Sequence, residues 1–146
     1  MYTTTLPVSL VLAGLLALLN IWLSVRVGQM RGKHKINLGD GGNEQVLRRM
    51  RAHANFAENA PVTLILVALI EFAAGTSGWL WGAAGVFVIA RVLHGLGMDG
   101  WNAGRTAGTG ATLLIQVLLA LWAISIPATG AYSPAVKDVD PVTARG

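Results

Sequence analysis

The sequence predicts an all-α integral membrane protein, a four-helix bundle forming one domain. Two observations carry this. Apolar residues make up 53% of the 146 and charged residues only 12%, against roughly 25% charge in an average soluble domain, and the mean hydropathy is +0.56. The apolar residues also gather into four stretches, each to be set against the roughly 20 residues a bilayer crossing needs.

The first stretch runs from about Leu6 to Val27. Residues 1 to 25 hold no Lys or Arg, so the basic n-region of a cleaved signal peptide is missing and the span reads as a retained helix. The second is apolar from about Pro61 to Ala74, with a polar, helix-patterned approach from Glu44. Pro61 should free the Ala57 carbonyl and kink that helix. The third covers about Trp79 to Met98 and the fourth about Ala107 to Ile126. Gly75 to Gly78 is short enough to force an antiparallel helical hairpin. The Gly39-Asp40-Gly41-Gly42 segment reads as a turn, with Asn43 as N-cap of the helix that follows. Pro127 and Gly130 are expected to stop the last helix. The domain then spans residues 1–130, and the tail from Ala131 to Gly146, with Pro134 and Pro141, is expected to be poorly ordered.

Basic residues orient the bundle. Arg26, Arg31, Lys33, Lys35, Arg48, Arg49 and Arg51, seven of the eleven in the chain, lie around the first loop. The positive-inside rule places that loop in the cytoplasm; Arg105 puts the third loop on the same side, and both termini fall outside. Tyr2, Trp79, Trp81, Trp122 and Tyr132 mark the outer interface, Trp22 and Trp101 the inner one.

Composition also excludes chemistries. There is no cysteine, so disulfides, thiolate metal sites and cysteine nucleophiles are out. A net charge of +4 would suggest nucleic acid in a soluble protein. Here the basic residues adjoin apolar spans, and topology or anionic ligands and lipids explain them better. His53 and His94 without a nearby carboxylate pair predict no metal site, and no Ser-His-Asp arrangement is visible.

The informative segment is Asn43 to Pro61. Glu44, Arg48, Arg51, Asn55 and Glu58 step by 4, 3, 4 and 3, which puts all five on one helical face. A charged side chain at the centre of a membrane helix costs about 3 kcal/mol even on the lenient insertion scale, so the stripe is expected to face inward, toward protein or trapped water. A solvated juxtamembrane helix with ordinary ion pairs is the plainer reading. It suits Glu44 and Arg48, and suits Asn55 and Glu58 poorly, because continuous apolar sequence follows so closely.

The third span adds Arg91 and His94, at i and i+3. A lone histidine is often just a satisfied polar residue. A buried arginine needs a partner, and Glu58 is the expected one. Glu71 is a further intramembrane carboxylate, expected at the outer interface or an inter-subunit contact, with no chemistry assigned. In the third loop Asp99, Asn102, Arg105 and Thr106 lie where the third and fourth helices meet the cytoplasm. A loop arginine is more often solvated than functional, yet Arg105 stands at the depth of Arg48 and Arg51 if it opens the fourth helix.

Arginine forks suit carboxylates, and a carboxylate such as Glu58 suits an ammonium. The inventory fits a zwitterionic small molecule with several carboxylates, and an apolar second substrate could enter from lipid.

At these residues the chain resembles a known family. Arg51 to Asn59 (RAHANFAEN), with Glu44 and Arg48 upstream and Ala90 to His94 (ARVLH) downstream, is similar to the MAPEG family, the membrane-associated proteins in eicosanoid and glutathione metabolism. The glycine-rich turn and short loops are most similar to its bacterial branch. The resemblance covers about Leu6 to Ile126 and implies a homotrimer in a bacterial inner membrane, with glutathione as co-substrate held between subunits near the cytoplasmic face. It implies glutathione contacts from Arg48, Arg51, His53, Asn55 and Glu58 on the second helix and His94 on the third, with Arg91 a structural companion. Arg105 matches an arginine that in catalytic members stabilises the thiolate, and Thr106 a neighbouring hydroxyl. Membrane lipid and a lipophilic small-molecule substrate are the implied partners, with no metal and no nucleic acid. The function implied is a glutathione transferase or peroxidase acting on lipophilic electrophiles.

One departure stands out. Several catalytic members carry a tyrosine in or just after the third loop, where Met98 and the run from Ala107 to Thr112 offer none. A non-catalytic lipid-binding or scaffold protein using the same pocket is therefore the competing expectation. A small multidrug-type transporter, also four-helical, would normally place a carboxylate in its first helix, and residues 1 to 25 contain no acidic residue.

Overall fold

The computed structural model describes residues 5–130, which form four helices: α1 (Pro7–His34), α2 (Glu44–Ala74), α3 (Gly78–Gly97) and α4 (Asn102–Thr129). Tyr2, Tyr132 and the tail from Ala131 lie outside the described residues. Each helix is long and apolar enough to cross a membrane, so the chain is an all-α, multi-pass membrane bundle.

The local chemistry of the helix ends explains where they fall. Pro7 sits at the start of α1, where its missing N–H is no loss. That helix ends at Lys35 in the left-handed conformation, whose N–H bonds back to the carbonyls of Arg31 and Gly32. The Asn43 side chain caps α2, accepting from the N–H groups of Gln45 and Val46 at 3.0 and 3.1 Å. Gly39, Gly41 and Gly42 ahead of it all have positive φ, a turn that residues with a Cβ would resist. Ser77 caps α3 in the same way through Leu80 N–H.

One expectation about proline needs correction, at Pro127. The polar approach and the apolar stretch of α2 are one continuous helix through Pro61. Added side-chain hydrogen bonds to the Asn55 and Asn59 carbonyls support the turn before it. Pro127 does not stop α4, which runs on to Thr129 and ends at Gly130 with φ of 66°. Ser125 and Thr129 hydroxyls bond to carbonyls of these last turns, while Gly130 supplies the left-handed residue that a helix end favours.

Helix α2 packs against all three other helices, α3 and α4 share the most extensive interface, and α1 rests on α2 and α3. The α3–α4 approach depends on Gly108: a Cβ there would stand 2.5 Å from the Ala90 carbonyl oxygen and 2.6 Å from the His94 nitrogen. Leu12, Val67, Ile70, Leu80, Phe87 and Leu119 fill the interior, while Leu10, Leu18, Ile65, Ile89 and Ile124 point outward, as a lipid-facing surface requires.

Candidate functional site

At 31 residues, α2 is roughly 46 Å long, well beyond the roughly 30 Å of a hydrocarbon core. Counting about 20 residues back from Ala74 puts the hydrocarbon boundary near Asn55. Arg51 then stands at headgroup level and Glu58 just inside.

At this level Arg51, Ala54, Asn55 and Glu58 of α2 meet His94 and the following Met98, lining an open groove of about 280 Å³. Four of the residues singled out from the sequence thus share one site. Its direction differs from expectation. Arg51 and Glu58 are exposed on the protomer surface and Asn55 is half-buried, because Val46, Ala52, Phe56 and Ala60 occupy the arc of α2 that packs into the bundle. The stripe lines the outside of the protomer. It does not fill its centre.

Arg91 lies behind the groove and is only 2% exposed. Its Nη1 donates to Asn55 Oδ1 at 2.8 Å and its Nη2 to the Gly108 carbonyl at 3.1 Å, leaving Nε without a partner. The expected pairing with Glu58 does not form: Glu58 is turned to the surface, and Asn55, one turn earlier, reaches Arg91 instead. Among the described residues three ion pairs form, Arg26–Asp99, Arg48–Glu44 and Arg49–Asp99. Arg91, Arg51 and Glu58 belong to none of them. His94, buried at the groove wall, lies within electrostatic reach of both Arg91 and Arg105.

The remaining candidates sit elsewhere. His53 is two residues past Arg51, so roughly 200° round the helix. Its Nε2 lies 2.8 Å from Asn20 Oδ1 on α1, and it is not part of the groove wall. Arg48 pairs with Glu44 at 2.7 Å. Both line a second cavity of about 480 Å³, with Met30, Lys33, Arg49 and Asp99, and Met98 is the wall common to both cavities. Arg105 and Thr106 are exposed near the start of α4 and are not among the residues lining the groove.

The polar contacts at three places went beyond the sequence reading. Asp99 joins Arg26 to Arg49, and the buried Arg26 also donates to the Gly95 carbonyl at 2.9 Å and stacks over Trp22. Arg26 lies within an apolar span, so the rule that demanded a partner for Arg91 could have demanded one here. Glu71, fully buried, accepts from Val8 N–H, Ser9 N–H, Ser9 Oγ and Thr76 Oγ1 at 2.6–3.0 Å. It caps the N-terminus of α1 from α2, in place of the interface or inter-subunit contact expected. The signal was the start of α1 at Leu6–Pro7, which has no capping side chain of its own. The third is Gln116, which bridges α4 to α2.

These features define a class: a multi-pass four-helix membrane protein with an arginine- and carboxylate-bearing groove at one end of its second and third helices. The chain belongs to the MAPEG family, whose sequence profile matches residues 9–125. It is similar to the inner membrane protein YecN from two strains of Escherichia coli, with 30% identity over 120 residues covering 79% of this chain and 91% of YecN.

Proposed function

We propose that the protein binds glutathione in the groove of Arg51, Asn55, Glu58 and His94 and presents its thiolate to lipophilic electrophiles in the bilayer, as a glutathione transferase or peroxidase. The observation that carries this is the convergence, at the hydrocarbon boundary, of an arginine and a carboxylate that enter no ion pair. Both charges are available to a zwitterion: the Arg51 fork for a carboxylate and Glu58 for the ammonium. Arg91 adds buried positive charge behind Asn55, which favours an anionic ligand. A free thiol has a pKa near about 8.5, and adjacent positive charge raises its thiolate fraction at neutral pH; Arg105 would supply that charge and Thr106 a hydrogen bond. No metal is needed for this chemistry.

Exposed charges at this depth are costly against lipid, so a neighbouring copy is expected to cover them, in a homotrimer whose grooves lie between subunits. In this reading the protein sits in the inner membrane, as the name of YecN states for that relative. The first and third loops face the cytoplasm and both termini lie outside.

A glutathione isotherm on the purified protein tests the binding. Arg51→Ala should weaken affinity about tenfold, the equivalent of about 1.4 kcal/mol; no measurable binding by the parent would overturn the proposal. The chemical half has its own test: Arg105→Ala should slow conjugation greatly while leaving glutathione affinity within a few-fold, and an unchanged rate removes Arg105 from the mechanism.

A second reading, a non-catalytic lipid-binding or scaffold protein using the same pocket, is favoured by one observation. Among the described residues the groove is lined by no tyrosine, and Arg105 and Thr106 stand outside its wall. Absorbance of bound thiolate, with turnover of a generic electrophile, separates the two.

A further inference from the structure

Arg105, Thr109, Thr112 and Gln116 of α4 follow one another at spacings of 4, 3 and 4, so they run along one edge of the helix. At Gln116 that edge meets α2. Its Nε2 donates to the Asn59 carbonyl and to Thr63 Oγ1, each at 3.2 Å. Thr63 Oγ1 donates in turn to the Asn59 carbonyl, and Asn59 Nδ2 to the carbonyl of Asn55. A polar seam thus leads from the groove at Asn55 up between α2 and α4. Gln116 is eleven residues beyond Arg105, roughly 16 Å along the axis, near the middle of the apolar span of α4.

The partners fix which way the amide of Gln116 points. Only the amide nitrogen can donate to a backbone carbonyl, and that nitrogen lies within hydrogen-bond distance of both Asn59 and Thr63. The side-chain oxygen is what remains. Gln116 is half-buried, and Oε1 accepts no hydrogen bond among the described residues and is not sealed in the interior. Hydrocarbon holds no water to satisfy such an acceptor. Tying α4 to α2 uses the nitrogen alone; the oxygen is surplus to that role.

We propose that Gln116 Oε1 is an acceptor subsite for a lipophilic molecule bearing a hydroxyl-type donor near the middle of its chain, seated along the α2–α4 seam. An ether, epoxide or ketone at that depth brings only acceptors and leaves the oxygen unpaired, and a site built to hydrogen-bond one partner discriminates against analogues that cannot. This deepens the transferase reading by naming the substrate class. It rests on that reading for the chemistry that follows but not for the binding.

The test uses the full-length protein in nanodiscs, without glutathione, and two probes: an octadecanoic methyl ester with a mid-chain hydroxyl, and the same ester with a methoxy group there. Partition is measured between protein-bearing and empty nanodiscs. The parent should take up the hydroxy ester about fivefold better, the size of one net hydrogen bond. Gln116→Met, which keeps length and removes the amide, should bring the ratio near one. Thr63→Val, which removes a partner of the nitrogen and keeps the oxygen, should preserve it. Equal uptake by the parent, the outcome if a second copy or a trapped water already satisfies the oxygen, would overturn the proposal and can be read without any variant. A preference that survives Gln116→Met, or that disappears equally in Thr63→Val, would overturn it too. A failure of glutathione binding leaves this measurement untouched.

Discussion

The two ends of the bundle each hold a carboxylate of α2, and they treat it in opposite ways. Glu71 is fully buried and accepts four hydrogen bonds, two of them from the first N–H groups of α1. A helix N-terminus offers unpaired donors and a positive dipole end, so an anion there is compensated by the fold itself. Glu58, 13 residues earlier, faces an open groove, and neither it nor Arg51 has an ionic partner among the described residues. One end is closed and satisfied within the chain. The other holds charges left unpaired within the described residues, and that contrast separates a structural polar site from the proposed binding one.

The contrast is broken most directly at Glu71. Glu71→Ala strands the Val8 and Ser9 N–H groups and the Ser9 and Thr76 hydroxyls, and each buried unsatisfied group costs about 1–3 kcal/mol. Partial rescue by water keeps the expected total near about 4 kcal/mol. Thermal unfolding in detergent should show a large drop in midpoint, while glutathione affinity of the protein that remains folded stays within about twofold. Loss of affinity with an unchanged midpoint would reverse the roles assigned to the two ends.

Asn55→Ala comes next and sharpens the comparison, because Asn55 belongs to both worlds. Its Oδ1 accepts from Arg91 while the residue lines the groove. Removing it leaves the buried guanidinium with only the Gly108 carbonyl, an expected cost of about 2–3 kcal/mol in stability. Glutathione affinity should fall at the same time. A variant that loses affinity but melts like the parent would mean that Arg91 finds another acceptor, and that its charge is not held behind the groove.

The features that could be read from the sequence are those whose physics is local. Apolar length yields four spans, and the Asn43 cap and the glycine turn ahead of it depend on neighbours a few residues away. Periodicity placed Arg51, Asn55 and Glu58 on one face, and they do share a groove. Periodicity cannot say which way that face turns, because α2 carries a second, apolar arc through Ala52, Phe56 and Ala60 that competes for the interior and takes it. That is why Asn55, not Glu58, reaches Arg91. The partner of Glu71 was out of reach for a different reason: the uncapped start of α1 signals that a cap is wanted, but the carboxylate that supplies it stands 62 and 63 residues away, and no local pattern says which residue that is. His53 shows the limit of a motif. It stands between Arg51 and Asn55 in sequence and faces α1 in space.

The smallest expected effect lies at Glu44, where the stripe itself divides. Glu44 and Arg48 share the helical face of Arg51, yet they pair with each other at 2.7 Å, both exposed and one turn apart. Such exposed i,i+4 pairs contribute about 0.3–0.5 kcal/mol, and the position lies beyond the hydrocarbon boundary, where water competes for both partners. Glu44→Gln should therefore move the unfolding midpoint barely beyond error, with glutathione affinity unchanged or slightly higher as Arg48 is released. Raising ionic strength should erase even that difference, since screening acts most strongly on exposed charges. A loss of affinity comparable to that of Arg51→Ala would show that the second cavity, which Glu44 and Arg48 line and which shares Met98 with the groove, is part of the binding site. The boundary between solvated stripe and site would then move from between Arg48 and Arg51 to the start of α2.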